Sequence, residues 1–304
     1  MLATIPDGSV QCCVTSPPYW GLRDYGVVGQ LGLEKTPDEY VAKMVATFRE
    51  VRRILRGDGV LFLNLGDSYS GHNLPGWRAG NEAKNGGASN KNGVGYVDGL
   101  KPKDLIGIPW LVAFALRADG WYLRSDIIWS KPNAMPESVR DRPTKAHEYV
   151  FLLSKSERYY YDAEAVAEDA VSTDVKKFTD GGRDKQRGHG RRHAGFNGRY
   201  AEAIAENGVP TTRNARSVWT ITTKPFTEAH FATMPVELAQ RCIRAGSKAG
   251  DTILDPFAGA GTTGLAADGL GRNAILVEIN PDYVNMATER TAMPLFAPDA
   301  NGQK

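Results

Sequence analysis

Short apolar runs along the chain end in proline-rich or glycine-rich segments, as the strands of a buried sheet do. Three such runs are Val10–Thr15, Val60–Leu65 and Thr252–Leu254. The third continues through a glycine turn into Leu265–Ala267, which are good helix formers, and another apolar run, Asn273–Val277, follows. This alternation of strand-like and helix-like segments predicts an α/β fold.

The first run leads directly into Ser16, Pro17, Pro18 and Tyr19. Two consecutive prolines remove two amide donors, so strand pairing stops there while the carbonyls stay free to accept hydrogen bonds. A serine hydroxyl, a proline carbonyl and a tyrosine ring can together hold a planar base that carries an amino group. On its own, a Pro-Pro step at a strand end is more often an ordinary loop, so this motif alone leaves both interpretations open.

A second motif follows the run Thr252–Leu254. It predicts a strand, a tight loop and a helix, in which Gly259, Gly261 and Gly264 let a ligand approach the backbone at the start of the helix. Glu278 follows at close to the spacing of about 20 residues at which an acid binds a ribose diol. The motif therefore predicts a nucleoside site.

The same glycines formally fit the dinucleotide fingerprint, which makes nicotinamide-dependent enzymes the rival class. Asp255 and Pro256 argue against that class, because a carboxylate ahead of the first glycine would repel a pyrophosphate. A cationic nucleoside without phosphates would tolerate the carboxylate.

Thr-Ser-Pro-Pro-Tyr at positions 15–19 and Asp-Pro-Phe-Ala-Gly-Ala-Gly-Thr-Thr at positions 255–263 together resemble the motifs of the amino-group DNA methyltransferases. Their order is the permuted, β-class-like one, in which the catalytic motif precedes the S-adenosylmethionine motif. Further segments are similar to the family's elements: Glu39–Leu55, Gly59–Asp67, Ser125–Lys131, Lys145–Leu153 and His230–Pro235. The resemblance implies a doubly wound, Rossmann-like methyltransferase sheet with an inserted basic recognition region.

The resemblance also implies how the chain is divided. Residues 1–165 would form the catalytic part, with a Gly/Asn-rich loop at 67–104, and residues 166–219 the target-recognition region. Residues 220–293 would complete the same domain as its S-adenosylmethionine-binding part, and 294–304 would be a tail. Family members carry a strand and a Gly-Asp step ahead of the segment corresponding to Leu2–Val10. We therefore expect this chain to begin within the following helix and to lack that edge strand.

For the reacting base, the resemblance implies that the Ser16 hydroxyl and the Pro17 carbonyl accept the two amino hydrogens. Tyr19 would stack on the flipped base, and Pro18 would keep the loop rigid. No dedicated proton acceptor stands out in the sequence.

For S-adenosylmethionine, the implied residues are Asp255, Phe257, Gly259, Gly261, Thr262, Glu278, Asn280, Phe231 and Pro235. Asp255 and the turn after it would face the methionine end, with Thr262 at the start of the helix. Glu278 would hold the ribose hydroxyls and Asn280 would lie near the adenine. Phe231 and Pro235 would line the same pocket.

The net charge of +2 is small, but positive charge is concentrated between Lys176 and Arg216. Ten Lys or Arg stand there against four acids. The segment has too few apolar residues to form a core, and it can follow a phosphate backbone. We expect it to contact double-stranded DNA through Arg183, Arg187, Arg191 and Arg192, although a solvated basic loop without a partner is the alternative.

The residue at the first motif position favours one target base over another. Family members with aspartate there are mostly adenine-N6 enzymes, so Ser16 favours cytosine N4. Adenine N6, an RNA guanine methyltransferase and a catalytically silent DNA-binding protein remain open. Methylation of cytosine carbon 5 is disfavoured, because that reaction uses a thiolate normally presented after proline, and no Pro-Cys step occurs.

Composition also bears on membrane insertion, thiol chemistry and metal binding. No apolar run approaches the roughly 18 residues that span a bilayer. Cys12, Cys13 and Cys242 form no CxxC pair, which favours reduced thiols in a cytoplasm. His189 and His193 have ligand-like spacing but no cysteine or carboxylate pattern beside them, so we expect no metal site. A homodimer is left open.

Overall fold

The structure is a computed structural model that describes residues 1–71, 97–170, 210–223 and 234–292, with the single positions 202, 205, 206 and 208. The chain divides into two compact units. The first consists of Met1–Asp162 and Ser217–Lys304, and the second is Ala163–Arg216.

The described strands are β1 (Val10–Thr15), β2 (Leu55–Leu65), β3 (Tyr122–Ser130), β4 (His147–Ser154), β5 (Glu168–Asp169), β6 (Thr212–Arg213), β7 (Val218–Thr220), β8 (Thr252–Asp255) and β9 (Asn273–Leu276). Seven of them form the sheet of the first unit in the order β7-β3-β4-β2-β1-β8-β9. The strand β4 runs antiparallel to β2 and β3, and the other neighbours pair in parallel. The antiparallel pair β5 and β6 belongs to the second unit.

The described helices of the first unit are α1 (Pro37–Ile54), α2 (Ile108–Ala118), α3 (Val236–Gly246), α4 (Thr262–Asp268) and α5 (Pro281–Ala292). The start of α1 is set by the Thr36 side chain, which accepts the amide of Glu39, and by proline at its first position. Tyr40, Met44 and Phe48 recur at helical spacing and are buried. This apolar stripe holds α1 against the sheet.

Alternate residues of the central strands point to opposite faces of the sheet. Cys13, Leu61 and Phe151 join the buried cluster that contains the apolar side chains of α1 and α2. Cys12 points the other way, toward the end of α3, where a Cβ on Gly246 would lie only 2.7 Å from its sulfur. Helices therefore cover both faces, and the predicted doubly wound α/β fold is confirmed.

The functional edge of the sheet is the one at which the parallel strands β1, β2, β8 and β9 end. Because β4 runs the opposite way, its first residues reach that same edge. The Gly/Asn-rich loop also leaves there. Its two described ends are joined, since the Ser70 amide donates to the Asp104 carbonyl at 2.9 Å and Tyr69 bridges to Leu105. Residues 72–96 lie outside the described residues.

Some predicted boundaries differ from those of the structure. The N-terminal segment, expected to lie within a helix, forms only the 3₁₀ turn Leu2–Thr4. Val218 and Trp219, which we assigned to the target-recognition region, belong to β7 and pair with β3 in the main sheet. The propensity of such short segments is weak, and tertiary pairing decides their conformation. None of the described helices is long and apolar enough to cross a membrane.

Candidate active site

The catalytic loop, Ser16–Tyr19, begins directly after β1 and is fixed by the α1 helix. The Tyr40 hydroxyl donates to the Pro18 carbonyl at 2.9 Å. Pro17 is buried, and the described residues offer its carbonyl no donor. Among the described contacts, the Pro17 carbonyl therefore stays available to a ligand.

The Tyr19 side chain is anchored at both its ring and its hydroxyl. One edge of the ring lies on Gly66, where an added Cβ would be 2.5 Å from the ring carbon Cε2, so only glycine fits there. The hydroxyl donates to Glu148 Oε2 at 2.7 Å and lies 3.2 Å from Asn64 Oδ1. The Ser16 hydroxyl lies 3.4 Å from the Tyr19 hydroxyl oxygen and donates to it. Burial raises the pKa of Tyr19 well above its ordinary value, and the negative charge of Glu148 is the second-largest cause of this rise. The phenol therefore keeps its proton.

Glu148 receives three different partners at the start of β4. Its Oε2 accepts from Tyr19 and, at 3.2 Å, from the Asn64 amide. Its Oε1 pairs with the ammonium of Lys131, which also lies over the Trp129 ring. None of Asn64, Glu148 and Lys131 was predicted as a site residue from the sequence. The available signals were a polar residue within the apolar β2 and an acid just ahead of the apolar part of β4.

The second motif meets the first through Asp255 at the end of β8. Its carboxylate is 3% exposed and accepts from Thr15 at 2.6 Å, from Thr263 at 2.7 Å and from the Phe257 amide at 3.0 Å. Burial raises the pKa of Asp255 to about 6, and these hydrogen bonds oppose the rise. Both oxygens are thus occupied within the protein, so Asp255 fixes the loop whether or not it also contacts a cofactor.

The glycine turn is tight because two backbones approach each other. Gly261 has a φ of +76° at the N-cap of α4, and a Cβ there would lie 2.9 Å from that of Ala287 on α5. Thr262, the first residue of α4, is buried. Beside Gly259, by contrast, an added Cβ would meet no atom of the described residues within 4 Å. The outer side of the turn is therefore open to a ligand.

Glu278 closes this loop from the end of β9. Its Oε2 accepts the Gly259 amide at 2.8 Å, and its Oε1 accepts the amides of Ile279 at 2.9 Å and Asn280 at 2.8 Å. Asn280 caps α5, since its side chain accepts the amide of Asp282 at 3.0 Å. Contacts of Glu278 with ribose and of Asn280 with adenine stay predictions.

The other predicted site residues fall in different places. Phe257 packs into the core, with its ring centroid 6.5 Å from that of Phe48. Pro235 is buried at the N-cap of α3. Phe231 and the four arginines Arg183, Arg187, Arg191 and Arg192 lie outside the described residues. Within the described ranges, no cluster of His, Cys, Asp or Glu is arranged to hold a metal ion.

A Ser-Pro-Pro-Tyr loop and an open glycine turn on adjacent strands of a doubly wound sheet define the class of amino-group methyltransferases. A family model described as DNA methylase, for N6 and N4 enzymes, matches residues 10–289. The chain belongs to this family.

Individual relatives agree with the family model. The chain is 48% identical to the Type II methyltransferase M.Cfr9I of Citrobacter freundii over 290 residues, which cover 95% of this chain and 84% of that protein. It is 46% identical to the Type II methyltransferase M.SmaI of Serratia marcescens over 279 residues, or 92% and 83% of the two chains.

Solved structures show the same fold. A putative DNA modification methylase of Thermus thermophilus, TTHA0409, determined in complex with S-adenosyl-L-methionine, aligns with a TM-score of 0.57 at 25% identity, covering 97% of this chain and 91% of that one. The PvuII cytosine-N4-specific DNA methyltransferase aligns with a TM-score of 0.61 at 19% identity, covering 97% and 84% of the two chains.

Proposed function

We propose that this chain is a Type II DNA methyltransferase that transfers a methyl group from S-adenosylmethionine to an exocyclic amino group in double-stranded DNA, with cytosine N4 as its favoured target. The observation that carries the proposal is the pair of acceptors at the catalytic loop. The Ser16 hydroxyl and the Pro17 carbonyl, to which no described residue donates, belong to consecutive residues at the end of β1, and each can accept one of the two hydrogens of an amino group.

The chemistry requires positioning more than acid or base strength. An exocyclic amine is a poor nucleophile because its lone pair is delocalised into the ring. Acceptors that hold both N–H groups favour a pyramidal nitrogen and direct its lone pair toward the methyl donor. A fixed near-attack geometry can lower the activation free energy by roughly 7–11 kcal/mol. Acceptors aimed at the developing charge stabilise the transition state further. The contact with Gly66 keeps the Tyr19 ring in place, and this ring stacks on the flipped base.

The residues of the cofactor loop, Asp255–Gly261, fit S-adenosylmethionine. When bound, this group supplies an electrophilic sulfonium methyl. The open side of Gly259 leaves room for the methionine end of the cofactor. Glu278 uses three of its lone pairs within the protein, and the remaining ones would accept the ribose hydroxyls. The buried Asp255 places negative charge behind the loop, which suits a cationic ligand and opposes a pyrophosphate.

The identity of the modified nucleoside tests the proposal. DNA and RNA from cells that express the protein are digested separately to nucleosides, which are identified by mass, with the same samples from cells expressing Ser16→Ala as the control. Binding of the purified protein to duplex DNA is measured beside them. We expect N4-methylcytosine. N6-methyladenine would move the target to adenine, methylated guanine in RNA would move it to RNA, and DNA binding without any modified nucleoside would make the chain a silent binding protein.

Duplex recognition is assigned to the basic segment, because ten cationic residues stand between Lys176 and Arg216. Replacing Arg183, Arg187, Arg191 and Arg192 by serine should weaken DNA binding. Each lost phosphate contact should also reduce the logarithmic salt slope by about 0.9. Unchanged affinity and slope in a filter-binding titration would move the DNA surface elsewhere, first to the Gly/Asn-rich loop at 67–104.

A further inference from the structure

The hydroxyl of Tyr19 lies within a chain of hydrogen bonds whose direction is fixed at its far end. Glu148 Oε2, 2.7 Å away, belongs to a carboxylate, which can only accept. Lys131 pairs with the other oxygen of Glu148 and holds the carboxylate in this orientation. The proton of the Tyr19 hydroxyl therefore points toward Glu148.

Asn64 supports the same orientation of the Tyr19 hydroxyl proton. Its amide nitrogen donates to the Tyr149 carbonyl at 3.1 Å, and a carbonyl can only accept, so the orientation of the Asn64 amide is determined. The Asn64 oxygen therefore faces the Tyr19 hydroxyl, 3.2 Å away. On this side Tyr19 meets two acceptors.

This arrangement determines the direction of the hydrogen bond between Ser16 and Tyr19. Because the single proton of the Tyr19 hydroxyl is already directed at Glu148, the Tyr19 oxygen can only accept from the Ser16 hydroxyl, 3.4 Å away. The Ser16 proton then points toward Tyr19, and the lone pairs of its oxygen are left for another donor.

We propose that Glu148 is a positioning residue that acts through Tyr19 to orient the Ser16 hydroxyl, so that Ser16 accepts an N–H of the target amino group. The inference rests on the proposed function. If the chain ran in the opposite direction, Ser16 would present its O–H to the amino group and two donors would face each other. In the observed direction, Glu148 determines how every hydroxyl of this chain is oriented, although Glu148 itself does not touch the base.

The first test is Glu148→Gln, which keeps the size of the side chain. The glutamine N–H can donate to the Tyr19 oxygen, so the chain can reverse. We expect kcat to fall about 10- to 100-fold, somewhat less than the roughly 10²- to 10³-fold typical of a deleted positioned group. The KM for DNA, the affinity for S-adenosylmethionine and the Tm should stay near the wild-type values.

The matched control is Glu50→Gln. Glu50 also pairs with a cation, Arg53, at 3.0 Å, but it lies on α1. We expect its kcat to be within about twofold of wild type. A similar loss of kcat in both variants would assign the effect to a lost ion pair in general and would overturn the inference.

A double-mutant cycle with Tyr19→Phe separates positioning from a structural role. Tyr19→Phe keeps the ring on Gly66 and removes only the hydroxyl, so it tests the chain even if a Glu148 variant fails to fold. It should lower kcat by itself, and adding Glu148→Gln should change kcat by less than about threefold, because the two residues act in series.

The outcomes that overturn the inference are wild-type kcat in Glu148→Gln or in Tyr19→Phe, or losses that multiply in the double variant. These are distinguishable from failure of the proposed function. A wild-type protein that transfers no methyl group, or a Ser16→Ala variant with full turnover, would overturn the proposed function itself. An active wild type with an inactive Ser16→Ala and a fully active Glu148→Gln would overturn only the role of Glu148.

Discussion

The catalytic loop and the cofactor loop leave adjacent strands but are held in different ways. In the catalytic loop, Tyr19 contacts side chains that are distant in the sequence, Asn64 and Glu148. The cofactor loop is held mainly by two carboxylates that accept its main-chain amides, Glu278 that of Gly259 and Asp255 that of Phe257. Apart from the bond of Thr15 to Asp255, these contacts of the cofactor loop come from its own motif and from the end of the next strand. The orientation of the catalytic groups depends on residues from other parts of the sheet.

The two loops also divide the reaction between them. The catalytic loop presents acceptors for an amino group, and the cofactor loop presents an open glycine turn beside an acid. Besides the backbone pairing of β1 with β8, a side-chain hydrogen bond from Thr15 to Asp255 links the ends of their strands. Changes in one loop should consequently affect one substrate, and changes at this link should affect the stability of the fold.

The largest effect should follow from Ser16→Ala. Loss of a positioned acceptor typically lowers turnover by about 10²- to 10³-fold. Single-turnover methyl transfer to DNA measures it. The control is Ser9→Ala, at the other end of β1, where the hydroxyl only bonds the Pro6 carbonyl. Equal rates in Ser16→Ala and Ser9→Ala would contradict the role of Ser16.

A smaller effect, on cofactor affinity, is expected for Glu278→Ala. A hydrogen bond to a charged group contributes roughly 1.5–3 kcal/mol, which corresponds to about 10- to 150-fold in the Kd of S-adenosylmethionine. Calorimetry measures the Kd, with Glu289→Ala, an exposed acid of α5, as the control. An unchanged Kd would make Glu278 a purely structural group. Binding of NADH by the wild type would revive the dinucleotide interpretation.

The link between the loops predicts a pH effect on stability. The pKa of Asp255 is about 6 in the fold, above the value of about 3.9 in the unfolded chain, so the folded state binds the proton more tightly. The contribution of Asp255 to the free energy of unfolding should therefore fall as pH rises from about 4 to about 6, by on the order of 3 kcal/mol.

Asp255→Asn removes this titration while keeping the size of the side chain. Urea unfolding from pH 4 to 8 should show that the stability of the wild type relative to the variant declines through this window and is constant above it. A relative stability that increases with pH would mean that Asp255 is stabilised as a carboxylate by its three donors.

The sequence predicted the elements that are defined by local patterns. The apolar run ahead of Ser16 ends as a strand at Thr15, and the run ahead of Asp255 leads through the glycine turn into a helix. Turn chemistry and short apolar runs determine such features within a few residues.

The partners of Tyr19 could not be predicted in the same way. Glu148 reaches the site only because β4 runs antiparallel and begins at the edge where β1 ends. Neither the direction of β4 nor its place beside β2 is encoded near residue 148. The burial of Asp255 is likewise a property of three packed elements, since Thr15 and Thr263 supply its donors.

The most direct test of the division between the two loops is the affinity of Tyr19→Ala for S-adenosylmethionine, measured by calorimetry beside its methyl-transfer rate. We expect a Kd within about threefold of wild type and a methyl-transfer rate lower by about 10²- to 10³-fold, because Tyr19 contacts the base and not the cofactor. Loss of S-adenosylmethionine binding in Tyr19→Ala would place this residue in the cofactor site and contradict the account.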